Sequence, residues 1–179
     1  MPISTDDALH MQVKSIVDEL EAAASGSLYK LDGEYVIIAD LDEWKNDRYQ
    51  EKVEEFRKEH HPEDFEEDKD ENGGEYDSYE DWMEYEIGTV EDIDEPEEIS
   101  LSEYIEDQSL GDIRFEVDSS MELHGAKVLF CYGGPNVWAA DDEVRGYWGS
   151  SRVEMSLDSN ARSEMFSFFE EKWNEVRGR

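Results

Sequence analysis

The chain has 179 residues, of which 50 are Asp or Glu and 16 are Lys or Arg, a formal net charge of −34 at pH 7. That excess argues against direct nucleic-acid binding, since phosphates would be repelled, and against attraction to an anionic membrane surface. The length suits one domain or two very small ones; hydrophobic residues make up only 37%, but the 12% that are aromatic can build a modest core.

In chain order, Ser4 and Thr5 followed by Asp6 and Asp7 make a helix start, with a capping hydroxyl and acids at the positive end of the dipole. Leu9, Val13, Ile16, Val17 and Leu20 recur at helical spacing and Gly26 marks the stop, which predicts a helix over 6–24. Asp32-Gly33 predicts a hairpin turn between strands Leu28–Leu31 and Glu34–Ala39. Leu41, Trp44, Tyr49, Val53 and Phe56 predict a second helix ending before Pro62. It holds five of the 16 bases, Lys45, Arg48, Lys52, Arg57 and Lys58, placed to neutralise part of the acidic segment C-terminal to it. Residues 61–77 lack periodicity and contain Gly73-Gly74, a loop signal. Tyr79, Trp82, Met83 and Ile87 predict a short helix, and Ser100 or Ser102 caps another bearing Leu101, Tyr104 and Ile105.

After Gly111 the pattern alternates. Ile113-Phe115-Val117, Leu123 with Val128-Leu129-Phe130, Val137-Trp138-Ala139, Val144-Tyr147-Trp148 and Val153-Met155-Leu157 predict strands, with turns at Gly133-Gly134-Pro135-Asn136 and Asp141-Asp142. Asp158 or Ser159 caps a last helix carrying Ala161, Met165, Phe168, Phe169, Trp173 and Val176. The expected fold is α+β: a four- to five-stranded antiparallel C-terminal sheet packed by a long C-terminal helix, an N-terminal helix–hairpin–helix, and an acidic, partly irregular middle segment. The corresponding regions are 1–60, 61–110 and 111–179, the first and last forming one compact unit. Cys131, the single cysteine, suits a reducing cytoplasm. Met1 to His10 shows no secretory signal and no apolar run reaches membrane-spanning length, so a cytoplasmic protein is expected.

Residues 63–107 are the most unusual stretch: 22 of 45 are acidic, Lys69 is the only base, and Phe65, Tyr76, Tyr79, Trp82, Tyr85 and Tyr104 are interleaved. At one charge per roughly 1.7 Å of duplex axis, its net charge corresponds to roughly 36 Å of DNA. A purely solvated acidic tail has little use for six rings. Either the rings anchor the acidic strip onto the domain, or they serve as apolar anchors for a strongly basic partner.

Other chemistry is weakly represented. Asp68-x-Asp70-x-Asn72-Gly73 matches half a calcium loop, but the twelfth position is Tyr79 where a bidentate Glu is required. His60-His61 beside Glu63 and Asp64 sits at a helix end, where adjacent imidazoles point apart. His10, His124 and Cys131 are isolated and read as structural. Phosphate-cradling loop, nucleophile elbow and zinc-type cysteine cluster are all missing from the sequence. No catalytic residue, cofactor or metal is expected.

The run VLFCYGGPNVWAADDEVRGYWGSSRVEMSL, with the amphipathic helix after it, resembles small proteins carried on phages and conjugative elements of bacteria, in which a GGPN turn leads into a strand and then a YW-containing strand. The likeness covers about the last third of the chain and implies a mobile-element setting; it carries no activity and no site residues. Separately, the acidity is similar in kind to that of DNA-mimicking antirestriction and anti-CRISPR inhibitors.

The protein is therefore expected to be an acidic nucleic-acid mimic, working in the cytoplasm of a bacterial host, that occupies the basic channel of a restriction enzyme or CRISPR effector complex. The residues expected to bind the partner are Glu63, Asp64, Glu66, Glu67, Asp68, Asp70, Glu71, Glu75, Tyr76, Asp77, Tyr79, Glu80, Asp81, Trp82, Glu84 and Glu86. The alternatives are an acidic adaptor or regulatory module for some other basic protein, and a halophile-adapted domain. Against the last, the acids are concentrated in one segment and eight lysines remain beside eight arginines. Oligomeric state stays open.

Overall fold

The computed structural model describes residues 4–61 and 78–178. The elements run α1 (Thr5–Ser25), β1 (Leu28–Leu31), β2 (Glu34–Ile37), α2 (Leu41–Glu59), α3 (Tyr79–Ile87), a 3-10 turn (Val90–Asp92), β3 (Glu97–Glu98), α4 (Leu101–Gln108), β4 (Ile113–Val117), β5 (Leu123–Cys131), β6 (Asn136–Ala140), β7 (Glu143–Trp148), β8 (Ser151–Ser156) and α5 (Ser159–Arg177). They form two compact units, residues 1–37 with 97–179, and residues 38–96. The expected loop over 61–77 and the half calcium loop at Asp68–Gly73 fall almost wholly outside the described residues.

In the first unit, β4 to β8 make an antiparallel sheet in chain order. Its inner positions, among them Val128, Val137, Ala139 and Val144, are fully buried, while the positions between them are more open, which is the period of two that the sequence shows. The α+β expectation of a sheet backed by the C-terminal helix holds, with one correction. α1 packs on β7 and β8 while α5 packs on β5, so two helices share the inner face. The reason is width: five strands at about 4.8 Å spacing span roughly 20 Å, twice what one helix of about 10 Å covers. Gly146 on β7 makes room for α1, because a Cβ there would lie 2.5 Å from Val13 Cγ2 and 2.8 Å from Leu9 Cδ1. Phe115 on β4 meets Trp173 of α5 at 5.3 Å between ring centroids.

The hairpin forms as the turn chemistry dictates, with Asp32 at φ 52° and Gly33 at φ 86°. β2 stops at Ile37, two residues earlier than expected. β3 then pairs antiparallel with β1, making a three-stranded sheet where a bare hairpin was expected. α4 takes Ser100 as its cap, in a capping box with Glu103. Tyr104, 1% exposed, donates its hydroxyl to Glu19 at 2.7 Å and so ties α4 to α1; burial and that bond push its phenol upward from the usual range.

The second unit has its own small cluster, Val53 and Phe56 of α2 with Trp82 and Met83 of α3, bordered by Tyr49, Tyr79 and Ile87. α2 is capped by Asp40, whose side chain accepts from the Glu43 amide at 3.0 Å.

Candidate acidic interface

The acidic stretch divides between the two units. Residues 97–107 belong with the large sheet, and residues up to 96 with α2 and α3. Thirteen of its 22 carboxylates lie among the described residues, and all thirteen are exposed. Several are engaged locally. Glu95 pairs with Lys45 and Glu106 with Lys172 at 2.7 Å. Asp92 accepts from the Thr89 amide at 2.8 Å and the Thr89 hydroxyl at 2.9 Å; these two bonds hold its carboxyl below the usual range, aided by the charge of Lys52. Glu103 is lowered in the same way by Ser100.

α3 is different. Ser78 caps it by accepting from the Asp81 amide at 3.1 Å, and Glu80 and Asp81 fall in the first turn, where the dipole favours negative charge. At 3.6 residues per turn Tyr79, Trp82, Met83 and Ile87 fall on one side. Trp82 is 8% exposed, its ring standing edge-on to Phe56 at 5.3 Å. The Tyr79 hydroxyl donates to the His60 carbonyl at 2.7 Å, and the His60 ring packs 4.6 Å from Phe56. Glu80, Asp81 and Glu84 therefore point to solvent, and Glu86, on the inner side by period, is also exposed in the last turn of a helix that contains no base. None of the four has a cation within ion-pair distance among the described residues.

Of the sixteen residues expected to bind a partner, Tyr79, Glu80, Asp81, Trp82, Glu84 and Glu86 are brought together on α3. Glu63, Asp64, Glu66, Glu67, Asp68, Asp70, Glu71, Glu75, Tyr76 and Asp77 lie outside the described residues. Tyr79 and Trp82 hold α3 to α2, the anchoring alternative of the two. Tyr85, absent from the expected set, is the ring of α3 turned outward at 69% exposure; its position across the helical period from Met83 was the available signal. The α2 bases neutralise the acids only in part. Arg48 and Lys58 pair with Glu51 and Glu54 inside α2, while Lys45 reaches Glu95.

His61 lies at the end of α2 and is exposed; His124 stands 3.4 Å from Asp118. No group of three or more His, Cys, Asp or Glu able to hold a metal ion occurs among the described residues. No described helix is long and apolar enough to cross a membrane.

The architecture is thus an α+β protein with a helix-borne acidic face. No family model, curated protein or solved structure matches the chain.

Proposed function

We propose that this protein is a nucleic-acid mimic that inhibits a DNA- or RNA-binding defence enzyme of a bacterial host, a restriction nuclease or a CRISPR effector complex. Carboxylates of residues 63–86 occupy the basic channel where phosphates would lie, and DNA or guide RNA is kept out. The observation that supports this best is the exposed surface of α3, where Glu80, Asp81 and Glu84 on the outer face and Glu86 in the last turn have no cation partners among the described residues, on a helix fixed by Trp82 and Met83. A helix backbone already fixed by packing need not be ordered on meeting arginines, which removes part of the cost of association.

The mechanism is electrostatic and involves no chemical step. A net charge of −34 speeds encounter with a basic groove. Arg–carboxylate pairs, bidentate where geometry permits, then slow dissociation. The mobile-element setting suggested by the GGPN and YW strands accords with an inhibitor of defence, and the likeness of charge to antirestriction proteins points the same way.

The test is inhibition of DNA or guide-RNA binding to a target captured from host lysate. Inhibition should weaken from low to high salt, and a variant with the carboxylates of 63–86 replaced by amides should lose it. Full inhibition by that variant would rule the reading out.

A further inference from the structure

Among the described residues the two sheets end in β2, β3, β4 and β8, and the first three of these edges are blunted. β2 and β3 are four and two residues long, and the pairing of β4 slips between Glu116 and Val117. β8 is different. Its six residues hold unbroken register with β7, include no proline or lysine, and have no further strand beside them among the described residues. Edge strands are ordinarily short, bulged or lysine-bearing, because their open main-chain groups template pairing with another chain.

Which groups of β8 lie open follows from its register. The Leu157 amide donates to the Asp142 carbonyl at 3.0 Å, so Leu157 faces β7. Antiparallel pairs alternate between bonded and non-bonded, which turns the main-chain groups of Val153 and Met155 toward β7 as well. Those of Arg152, Glu154 and Ser156 therefore point away from the sheet. The side chains of these three are exposed, whereas Val153 and Met155 are half-buried on the inner face.

We infer that β8 is a self-association edge, on which a second copy of this chain lays its own β8 antiparallel across a two-fold axis at Val153. The two five-stranded sheets then run on as one. Because the open groups recur at every second residue, a two-fold pairing must be centred on a residue. Centred on Arg152 or Glu154, it would set like charges face to face. Centred on Val153, it sets Arg152 against Glu154 of the partner subunit and Glu154 against the partner's Arg152. Both positions are ones whose amides and carbonyls point outward, so reciprocal main-chain hydrogen bonds form there. Val153 meets the partner's Val153 on the inner face.

Charge does not forbid this pairing. Arg152 bonds Glu154 along the strand, and Glu154 also accepts from Arg145 at 3.2 Å. Residues 150–157 carry one base and one acid, hence no net charge, in a chain of −34. A carboxylate keeps lone pairs for a further guanidinium. Asp6 and Asp7 of α1 stand beside the start of β8, with Asp6 bonded to the Ser151 hydroxyl, and oppose association. Screening at physiological salt acts over about 8 Å, which weakens repulsion from more distant carboxylates while side chains opposed at about 5 Å still interact. This inference concerns the sheet edge and does not rest on the mimicry proposed for residues 63–86.

Sedimentation velocity of the full-length protein over a concentration series at physiological ionic strength should show a monomer–dimer equilibrium. Arg152→Glu alone and Glu154→Arg alone should each weaken the dimer by about tenfold or more, since the axis doubles every opposed pair. Mixing the two variants should restore dimerisation, because both acids of the first then face arginines of the second. That restoration also shows that both variants are folded. A wild-type chain that stays monomeric at every concentration, wild-type dimerisation in either single variant, or a mixture no more dimeric than its components would overturn the inference.

Discussion

The Tyr79 hydroxyl donates to the main-chain carbonyl of His60 at 2.7 Å, joining the first turn of α3 to the residue that ends α2. With Trp82 on the same side, this bond decides which face of α3 carries its carboxylates outward. Tyr79→Phe removes the bond and keeps the ring, at an expected cost of about 1 kcal/mol. Amide exchange should quicken across α3 and stay unchanged in the large sheet. Unaltered exchange in α3 would show that the bond does not hold the helix.

Gly146→Ala tests the shared inner face of the sheet. The added methyl would meet Val13 and Leu9 of α1 far inside contact distance. Overpacking of this kind costs about 1–3 kcal/mol. Thermal melting should shift downward, and a simultaneous Val13→Ala should recover part of the loss. A wild-type melting curve for the single variant would mean that α1 does not pack there.

Asp107 gives a pH signature. Hydrogen bonds from Tyr35 and Lys30 hold its carboxyl below the usual range. A lowered folded-state value means stability that is present above the unfolded value of about 4 and is lost as pH falls through the folded one. Lys30, raised by the same carboxylate, keeps its share through neutral pH and loses it only above the ordinary amine range. Asp107→Asn should therefore lower the urea midpoint at pH 7, with the gap to wild type closing below about pH 4. A gap independent of pH would contradict this.

Much of this architecture was legible because its signals are local. Ser4, Ser100 and Asp158 cap helices as their positions suggest, and Asp32-Gly33 supplies the two positive-φ turn residues. β3 was not legible: Glu97 and Glu98 show no hydrophobic alternation, and only main-chain pairing with Tyr29 and Lys30 makes them a strand. The placement of α1 over β7 and β8 depends on contacts between distant parts of the chain. For the acidic site, composition revealed the charge, but which rings turn inward was decided by Val53 and Phe56 of α2.

Salt dependence separates an acidic inhibitor from a domain adapted to molar salt. With 50 carboxylates the folded chain repels itself, so added salt should raise the melting temperature. The cores under the sheet and between α2 and α3 should nevertheless keep the protein folded in dilute buffer. Unfolding in dilute buffer would favour the halophile alternative.

The most direct measurement of nucleic-acid mimicry is competition. A nucleic-acid-binding protein captured from bacterial host lysate on the immobilised full chain is challenged with increasing duplex DNA. If the chain is a mimic, DNA displaces the captured protein in proportion to its concentration, and added chain reverses the displacement. A captured protein that holds DNA and this chain together, neither displacing the other, would contradict mimicry.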